Sequence, residues 1–261
     1  MRFLILGDIH GNNYALKECL KVAEKKRFDE IIWCGDYVTD FPESQDVIKI
    51  IKQYSKKYRS YIILGNRDKN IVDYSNGKKY NIRQLRNIDY TYKKLTKADI
   101  KWLKSLPENL EIDIDMTRKI YVSHECTFKN IDDCKFKVFG HTHKQYSFIR
   151  KGVKYINPGS VGTPVDGTCG AQFTILEVTK SSESIEHYII HYDTDKLMDE
   201  IKNSSIYNDD IKWGRIMEKE LETGEDYPQK CIREYKKIMK EHHLKEESLE
   251  AWNEAIEKIL K

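Results

Sequence analysis

Three short apolar runs in the first quarter of the chain, separated by two amphipathic stretches, constrain the possible folds most strongly. The runs span residues 3–6, 31–34 and 61–64, and a glycine directly follows each of them. The segments between them, residues 13–26 and 44–57, carry apolar side chains at helical spacing. The order strand, helix, strand, helix, strand predicts a largely parallel sheet with right-handed crossovers.

The second half of the chain has a different pattern. Residues 80–106 are predicted to be helical, with Thr96 and Asp99 forming a capping box. Short strands separated by turns then follow, and they predict an antiparallel half of the molecule. These strands are placed at residues 111–115, 119–122, 137–139, 145–149, 153–156, 171–178 and 185–190. The whole pattern predicts an α/β fold of mixed α+β type.

The composition changes once more near Asp193, where charged helical segments begin. We therefore predict a main domain of residues 1–192 and a charged helical extension of residues 193–261. Three roles are compatible with the extension. Its helices could complete the core of the main domain, cap the mouth of a site, or form a surface for oligomers.

The composition also limits the functions that the chain can have. The net charge of +3 is small against 45 basic and 42 acidic side chains, and no basic stripe interleaved with aromatic residues is present. Neither a nucleic-acid polymer nor a membrane is therefore an expected partner. The apolar runs are shorter than a bilayer span, and the first residues lack the long apolar region of a signal peptide. Six cysteines without a CxxC pair favour reduced thiols. We expect a cytoplasmic protein.

Side chains that can bind metal ions follow the predicted strands. After the three N-terminal runs stand Asp8 with His10, then Asp36, then Asn66. After two later strands stand His124, His141 and His143. Because ligand sites in open α/β sheets lie beyond the carboxyl ends of the strands, these side chains should converge. Carboxylate, amide and imidazole ligands predict divalent ions, manganese in preference to iron, zinc, nickel or magnesium.

Five motifs occur in order along the chain: DxHGN, GD, GN, a lone histidine and GHTH. Over residues 1–191 this order resembles that of the calcineurin-like metallophosphoesterases. The segment NPGSVG at residues 157–162 is similar to one typical of the small bacterial and archaeal phosphodiesterase-like branch. The resemblance implies a four-layer α-β-β-α sandwich around a dinuclear metal site, and makes residues 1–192 the catalytic domain.

The resemblance also implies a role for each motif residue. The ligands of the first ion would be Asp8, His10, Asp36 and His143. The ligands of the second ion would be Asp36, Asn66, His124 and His141. Two ions roughly 3.5–4 Å apart and bridged by Asp36 can hold a hydroxide that attacks phosphorus in line. The expected catalytic residues are Asp36, Asn66, Arg67 and His124.

Arg67 departs from the family pattern. The resemblance implies a histidine after GN that protonates the leaving group or stabilises the transition state, whereas this chain has arginine. Arginine cannot act as a general acid, but its guanidinium can hold phosphate oxygens as a bidentate fork. We therefore expect small nucleotide-type substrates whose leaving group needs little protonation. Phosphodiesters and phosphoanhydrides qualify, dinucleoside polyphosphates among them.

Several alternatives stay open. A phosphatase acting on monoesters of proteins or small molecules would use the same site, and a non-catalytic metal-binding scaffold would keep the fold alone. Asp40 either orients a ligand or is a solvated loop carboxylate. Asp68 either fixes Arg67 or caps a helix. The segment 157–162 is either a tight backbone bend or a support for the GHTH loop.

Overall fold

The computed structural model describes residues 1–80, 86–128, 131, 134–204, 207 and 211–261. Its strands are β1 (Arg2–Leu6), β2 (Glu30–Trp33), β3 (Arg59–Ile62), β4 (Asn109–Asp113), β5 (Lys119–Ser123), β6 (Cys134–Val138), β7 (Gln145–Arg150), β8 (Val153–Pro158), β9 (Ala171–Val178) and β10 (Glu183–Ile190). Its helices are α1 (Asn13–Lys26), α2 (Ser44–Lys57), α3 (Asn66–Ser75), α4 (Arg86–Lys94), α5 (Lys97–Lys104), α6 (Thr194–Asn203), α7 (Ile211–Thr223), α8 (Tyr227–Glu241) and α9 (Leu249–Leu260). Residues 81–85, inside the stretch predicted to be helical, lie outside the described residues.

The first sheet carries the three N-terminal strands side by side. Its order is β10-β9-β1-β2-β3, and β1, β2 and β3 are parallel. Strand β9 pairs antiparallel with β1, and β10 pairs antiparallel with β9. The connecting helices α1 and α2 have the bounds predicted from the sequence. The parallel unit at the N-terminus is therefore confirmed.

The second sheet differs from the antiparallel half that the sequence predicted. Its order is β4-β5-β6-β8-β7, in which β5, β6 and β8 are parallel neighbours and only the edge pairs are antiparallel. Strands β9 and β10 belong to the first sheet. The prediction was wrong because side-chain alternation identifies the faces of a strand and not the direction of its partner. The chain crosses from β6 to β8 by way of β7, which makes a parallel pair possible without a helix.

The two sheets pack face to face, with helices against the first sheet. Phe3 and Ile5 of the central strand β1 belong to the apolar core between the sheets. Leu4 and Leu6 of the same strand pack on the other side, in the core shared with α1 and α2. All four side chains are fully buried, which explains why the sequence of this strand is a continuous apolar run. The α/β sandwich expected from the sequence is confirmed.

The helix starts follow local capping chemistry. Thr96 Oγ1 accepts a hydrogen bond from Asp99 N at 3.1 Å, and Asp99 Oδ2 accepts one from Thr96 N at 3.2 Å, so the predicted capping box is present at the start of α5. None of the helices in the described ranges combines the length and the apolarity that crossing a bilayer requires.

The C-terminal helices α6 to α9 pack together and onto the main domain. One buried side chain from each helix joins a common apolar cluster: Leu197, Ile216, Cys231 and Trp252. Phe41, from the loop between β2 and α2, is fully buried in the same cluster. This packing places α7 and α8 beside the loop that carries one of the predicted ligands. The division into two domains at residue 193 stays a prediction.

Candidate metal centre

The seven predicted ligand residues lie in loops at the ends of strands, with one at the start of a helix. They are Asp8 and His10 after β1, Asp36 after β2, Asn66 at the start of α3, His124 after β5, and His141 and His143 between β6 and β7. Hydrogen bonds tie these loops together. The amide of His141 donates to Asp8 Oδ2 at 2.9 Å, and the amide of Arg67 donates to Asp36 Oδ1 at 2.7 Å.

The backbone at five of these positions is left-handed. The φ angles are 51° at Asp8, 54° at His10, 55° at Asp36, 69° at His141 and 55° at His143. Residues with a β-carbon rarely adopt this conformation, which costs on the order of 1–3 kcal/mol each and persists only where the surrounding structure enforces it. Such residues cluster at functional sites, and here they coincide with the ligands.

Glycine is required where the loops approach each other most closely. A β-carbon at Gly65 would lie 2.1 Å from Asp36 N, and one at Gly140 would lie 2.7 Å from Asp8 Oδ2. Both distances are shorter than any contact that a real β-carbon makes. The glycines of the GN and GHTH motifs therefore allow the ligand side chains to converge.

A first group of potential ligands consists of Asp8, His10, Asp36 and His143, whose ligand atoms all lie within 4.8 Å of one another. The Nε2 atoms of His10 and His143 are 3.1 Å apart. His10 Nδ1 faces Asp40 Oδ2 at 2.7 Å, and His143 Nδ1 faces Thr163 O at 2.8 Å. Each Nδ1 atom faces an oxygen, and both Nε2 atoms are thereby directed at one point. Only a cation between them, a proton or a metal ion, makes that arrangement favourable.

A second group consists of Asn66, His124 and His141. His124 Nδ1 donates to Cys34 O at 2.7 Å, so its Nε2 atom faces Asn66 Oδ1 at 2.8 Å and Asp36 Oδ2 at 3.3 Å. His141 Nδ1 lies 2.9 Å from the same Asn66 oxygen. Several acceptor atoms therefore converge here as well, and only a cation between them, a proton or a metal ion, would offset their repulsion. The donor sets of both groups fit divalent ions.

Asp36 lies between the two groups. Its Oδ2 atom is 3.3 Å from His124 Nε2 and 3.7 Å from His10 Nε2. The side chain is 2% exposed. This position is the one that a carboxylate bridging two ions would occupy.

Burial and mutual charge shift the pKa values of the ligands. Burial, together with the charge of Asp36, raises the pKa of Asp8 to about 7. Burial opposes a charged His124, but the charge and hydrogen bond of Asp36 outweigh it and raise the pKa of His124 to about 10. Burial and the charge of His10 lower the pKa of His143 to about 3. Since metal ligands must be deprotonated, metal binding at this centre is expected to depend on pH, most of all through His124.

Two acidic residues whose roles the sequence left open support the ligands. Asp40 orients the imidazole of His10 through the 2.7 Å contact and is not a solvated loop carboxylate. Asp68 is fully buried and caps α3 by accepting a hydrogen bond from Gly65 N at 3.0 Å. Its carboxylate also accepts backbone N–H groups of the loop after β2, from Asp36 (2.8 Å), Tyr37 (2.9 Å) and Val38 (3.3 Å). Asp68 therefore fixes the loop that carries the central carboxylate.

Asp40→Asn is expected to weaken metal binding at the first group by about 10- to 100-fold, because partners behind a ligating histidine set its tautomer and basicity. Titration calorimetry with Mn²⁺ would measure the change. The matched control is Asp46→Asn, which alters a half-buried carboxylate on α2 that contacts Asn13 and no ligand of the first group. Equal affinities of the Asp40 variant and the wild type would contradict the supporting role.

The segment 157–162 supports the GHTH loop, which is one of the two interpretations that the sequence left open. Asn157 Nδ2 donates to Gly140 O at 2.8 Å and to Thr142 Oγ1 at 2.9 Å. Ser160 Oγ donates to Asp8 O at 2.7 Å. The segment thus connects the loop after β1 with the loop between β6 and β7.

A cavity of about 250 Å³ opens over the ligands. Arg67 lines it, with its side chain 26% exposed and its Nε atom 3.8 Å from Asp40 Oδ2. The C-terminal extension contributes Met217, Glu220, Asp226, Gln229 and Ile232 to the wall. Sequence reasoning did not identify these residues, because no motif marks them and their position depends on how α7 and α8 pack. The extension therefore reaches the site.

Comparison with known sequences gives a family match and two kinds of relative. The model of the calcineurin-like phosphoesterase superfamily domain matches residues 1–181. An uncharacterized protein of Methanocaldococcus jannaschii is 25% identical over 226 residues, which are 76% of this chain and 90% of that protein. The symmetrical bis(5′-nucleosyl)-tetraphosphatase of Buchnera aphidicola is 32% identical over 125 residues. That match spans 48% of this chain and less than half, 44%, of the tetraphosphatase.

Solved structures share the fold. A metallophosphoesterase of Sphaerobacter thermophilus matches with a TM-score of 0.61 and 21% identity, over 78% of this chain and 94% of that one. A hypothetical protein of Pyrococcus horikoshii matches with a TM-score of 0.67 and 19% identity, over 77% and 92% of the two chains. The family is divalent-metal dependent, in agreement with the cluster of aspartates and histidines. The chain belongs to the calcineurin-like phosphoesterase superfamily and is a phosphoesterase hydrolase.

Proposed function

We propose that this phosphoesterase holds two divalent metal ions and hydrolyses a phosphodiester or phosphoanhydride of nucleotide type. The observation that carries the proposal is the convergence of two groups of acceptor atoms on either side of Asp36, beneath the cavity. The first ion would be held by Asp8, His10, Asp36 and His143. The second would be held by Asp36, Asn66, His124 and His141. Manganese is the expected ion, and iron, zinc, nickel and magnesium suit the same ligands.

Bound ions of this kind neutralise phosphoryl oxygens and lower the pKa of an attacking water. The residues of the chain supply position and further charge. Asp40 and Asp68 hold the ligand loops in place. The guanidinium of Arg67 faces the cavity and remains charged, so it can bind two phosphate oxygens at once.

The surroundings of Arg67 favour phosphates that carry a single negative charge. Asp40 and Asp226 line the same cavity, and their negative charges raise the pKa of Arg67. A terminal monoester phosphate with two charges meets more repulsion from these carboxylates than a diester or an anhydride with one charge per phosphate. A monoesterase, the second candidate, is less well supported for this reason.

The shape of the site suits a substrate that extends in two directions. A second, more open groove of about 280 Å³ is lined by Leu64, Asn66, Lys69, Glu108, Ser123 and Glu125. Asn66 borders both this groove and the main cavity. A phosphate at the ligands could therefore carry groups on either side. The relative named as a bis(5′-nucleosyl)-tetraphosphatase supports a dinucleoside polyphosphate as one candidate.

Steady-state hydrolysis with added Mn²⁺ tests the proposal. The panel is bis(4-nitrophenyl) phosphate, 4-nitrophenyl phosphate, a 2′,3′-cyclic nucleotide and a dinucleoside tetraphosphate, with Asp36→Ala as the blank. We expect the diester or the tetraphosphate to exceed the monoester in kcat/KM by at least about tenfold, which corresponds to about 1.4 kcal/mol in the barrier.

Metal binding is measured separately, from the rise in Tm on addition of Mn²⁺. A preference for the monoester would replace the proposal by the phosphomonoesterase function. Metal binding without turnover of any member of the panel would favour a non-catalytic scaffold.

A further inference from the structure

A buried acidic residue from the C-terminal extension lines the cavity over the ligands. Glu220 lies on α7, is 5% exposed and lines the same cavity as Asn66 and Arg67. Within the part of the chain that the structure describes, its Oε2 atom is buried and has no hydrogen-bond partner. A buried polar atom without a partner is costly, and a catalytic role is one reason why a native protein keeps such a group.

The surroundings favour the protonated form of this carboxyl group. Burial is the main cause, and the charges of Asp226 before α8 and of Asp40 after β2 add to it. The positive charge of Arg67, at the start of α3, lowers the pKa of Glu220 and so opposes these effects. The pKa of Glu220 is held well above its usual value, which favours the protonated, neutral form of the side chain.

The fold fixes the position of Glu220. The turn after α7 contains Gly224 with φ at 65°, where a β-carbon would lie 2.0 Å from Thr168 O. Gly224 N donates to Glu220 O at 2.8 Å, and Gly167 N donates to Gly224 O at 2.9 Å. The end of α7 is therefore docked against the loop that follows β8, and Glu220 is presented to the cavity by a rigid contact.

The reaction needs a proton that Arg67 cannot supply. When the bond from phosphorus to the leaving oxygen breaks, the electron pair stays on that oxygen. A neutral acid within reach of it accelerates such a step by about 10²- to 10⁴-fold. The four histidines of the centre are committed to metal ions in the proposed function, and Arg67 does not release a proton at accessible pH.

We propose that Glu220 donates the proton to the leaving group, an inference that rests on the proposed phosphoesterase function. The oxygen of a water molecule forms the new bond to phosphorus while the bond to the leaving oxygen breaks. The carboxyl proton of Glu220 passes to the leaving oxygen, and the water loses one of its protons to solvent. The Glu220 carboxylate then regains a proton from solvent. The extension thus provides the acid that is missing at position 67, where the chain has arginine.

The test compares the wild type with Glu220→Gln on aryl esters of one nucleoside 5′-phosphate, with Mn²⁺ present. The esters differ only in the leaving phenol, from 4-nitrophenol to unsubstituted phenol. Glutamine keeps the size of the side chain and can donate a hydrogen bond, but it releases no proton. Glu220→Gln should lose roughly 100-fold in kcat on the phenyl ester and far less on the nitrophenyl ester.

Two further measurements separate proton donation from a structural role. In the wild type, kcat for the phenyl ester should fall as pH rises through the pKa of Glu220, because the acid must be protonated, and this limb should be absent in the variant. Infrared difference spectra should show the carbonyl band of a protonated carboxylic acid in the wild type only. The matched control is Glu222→Gln, an exposed residue of the same helix that pairs with Lys219. All three proteins should show the same rise in Tm with Mn²⁺.

Equal losses on both esters would show that Glu220 only positions other groups. An unchanged rate on the phenyl ester would show that it takes no part. Either result would overturn the inference while leaving the proposed function intact. A wild type that binds Mn²⁺ and hydrolyses no ester would remove the proposed function, and the role of Glu220 with it.

Discussion

Asp36→Asn is expected to lower kcat/KM by roughly 10³-fold or more, at the upper end of what the loss of one electrostatic group costs in an active site. Asparagine has nearly the same shape, and its amide oxygen can still accept the 2.7 Å hydrogen bond from Arg67 N. The negative charge between the two groups of ligands is lost, and an NH₂ group replaces the Oδ2 atom that faces His10 and His124. Both ions would then bind less tightly, and kinetics at several Mn²⁺ concentrations would measure the loss.

The control for this variant is Asp113→Asn, on the edge strand β4, where the side chain is 77% exposed. It should behave as the wild type does. Circular dichroism of Asp36→Asn should be unchanged, because the substitution leaves the packing in place. If the variant retained more than about a tenth of the activity at saturating Mn²⁺, the charge of Asp36 would not be essential and the bridging role would be wrong.

Asp68→Ala is expected to reduce the free energy of unfolding by about 3–5 kcal/mol. The buried carboxylate accepts four backbone N–H groups, from Asp36, Tyr37, Val38 and Gly65. Leaving a buried donor without an acceptor costs about 1–3 kcal/mol each, and partial rearrangement reduces the sum. In a chain of this size the loss corresponds to a decrease in Tm of about 10 °C. Thermal and urea unfolding would measure it.

Asp68→Asn refines the same test. The two carboxylate oxygens each accept two of the N–H groups, so an amide must turn its NH₂ towards two donors. This variant should therefore also be destabilised, although it is close in shape. The control is Asp73→Ala on the same helix, which removes a partly exposed ion pair with Lys78 and should cost less than about 1 kcal/mol. Similar stabilities of the Asp68 and Asp73 variants would show that water replaces the carboxylate.

The sequence was sufficient to predict that the ligand residues converge. Parallel strands place their carboxyl ends at one edge, and the side chains after β1, β2 and β3 meet there as that rule requires. The pairing in the second sheet was not predictable in the same way. Strand β9 inserts beside β1 through a contact between residues far apart in sequence, and no local pattern encodes it.

The positions of Asp40 and Glu220 could not be predicted from local sequence either. Asp40 is four residues from Asp36, yet only the structure shows that it faces His10. Glu220 stands among many other charged residues of the extension, and nothing in its neighbours distinguishes it from exposed Glu222. Its burial results from the docking of the α7–α8 turn on a loop about fifty residues earlier in the chain. Tertiary packing, and not local propensity, creates such residues.

The left-handed backbone at five ligand positions makes folding and metal loading separate events. The conformational cost of these loops is met when the sandwich folds, since glycine contacts and buried hydrogen bonds between the loops stabilise this conformation. A site ordered in advance loses little entropy when an ion enters, so ion exchange requires no refolding. After chelation the protein should therefore remain folded but inactive, and it should regain activity when a suitable cation is added.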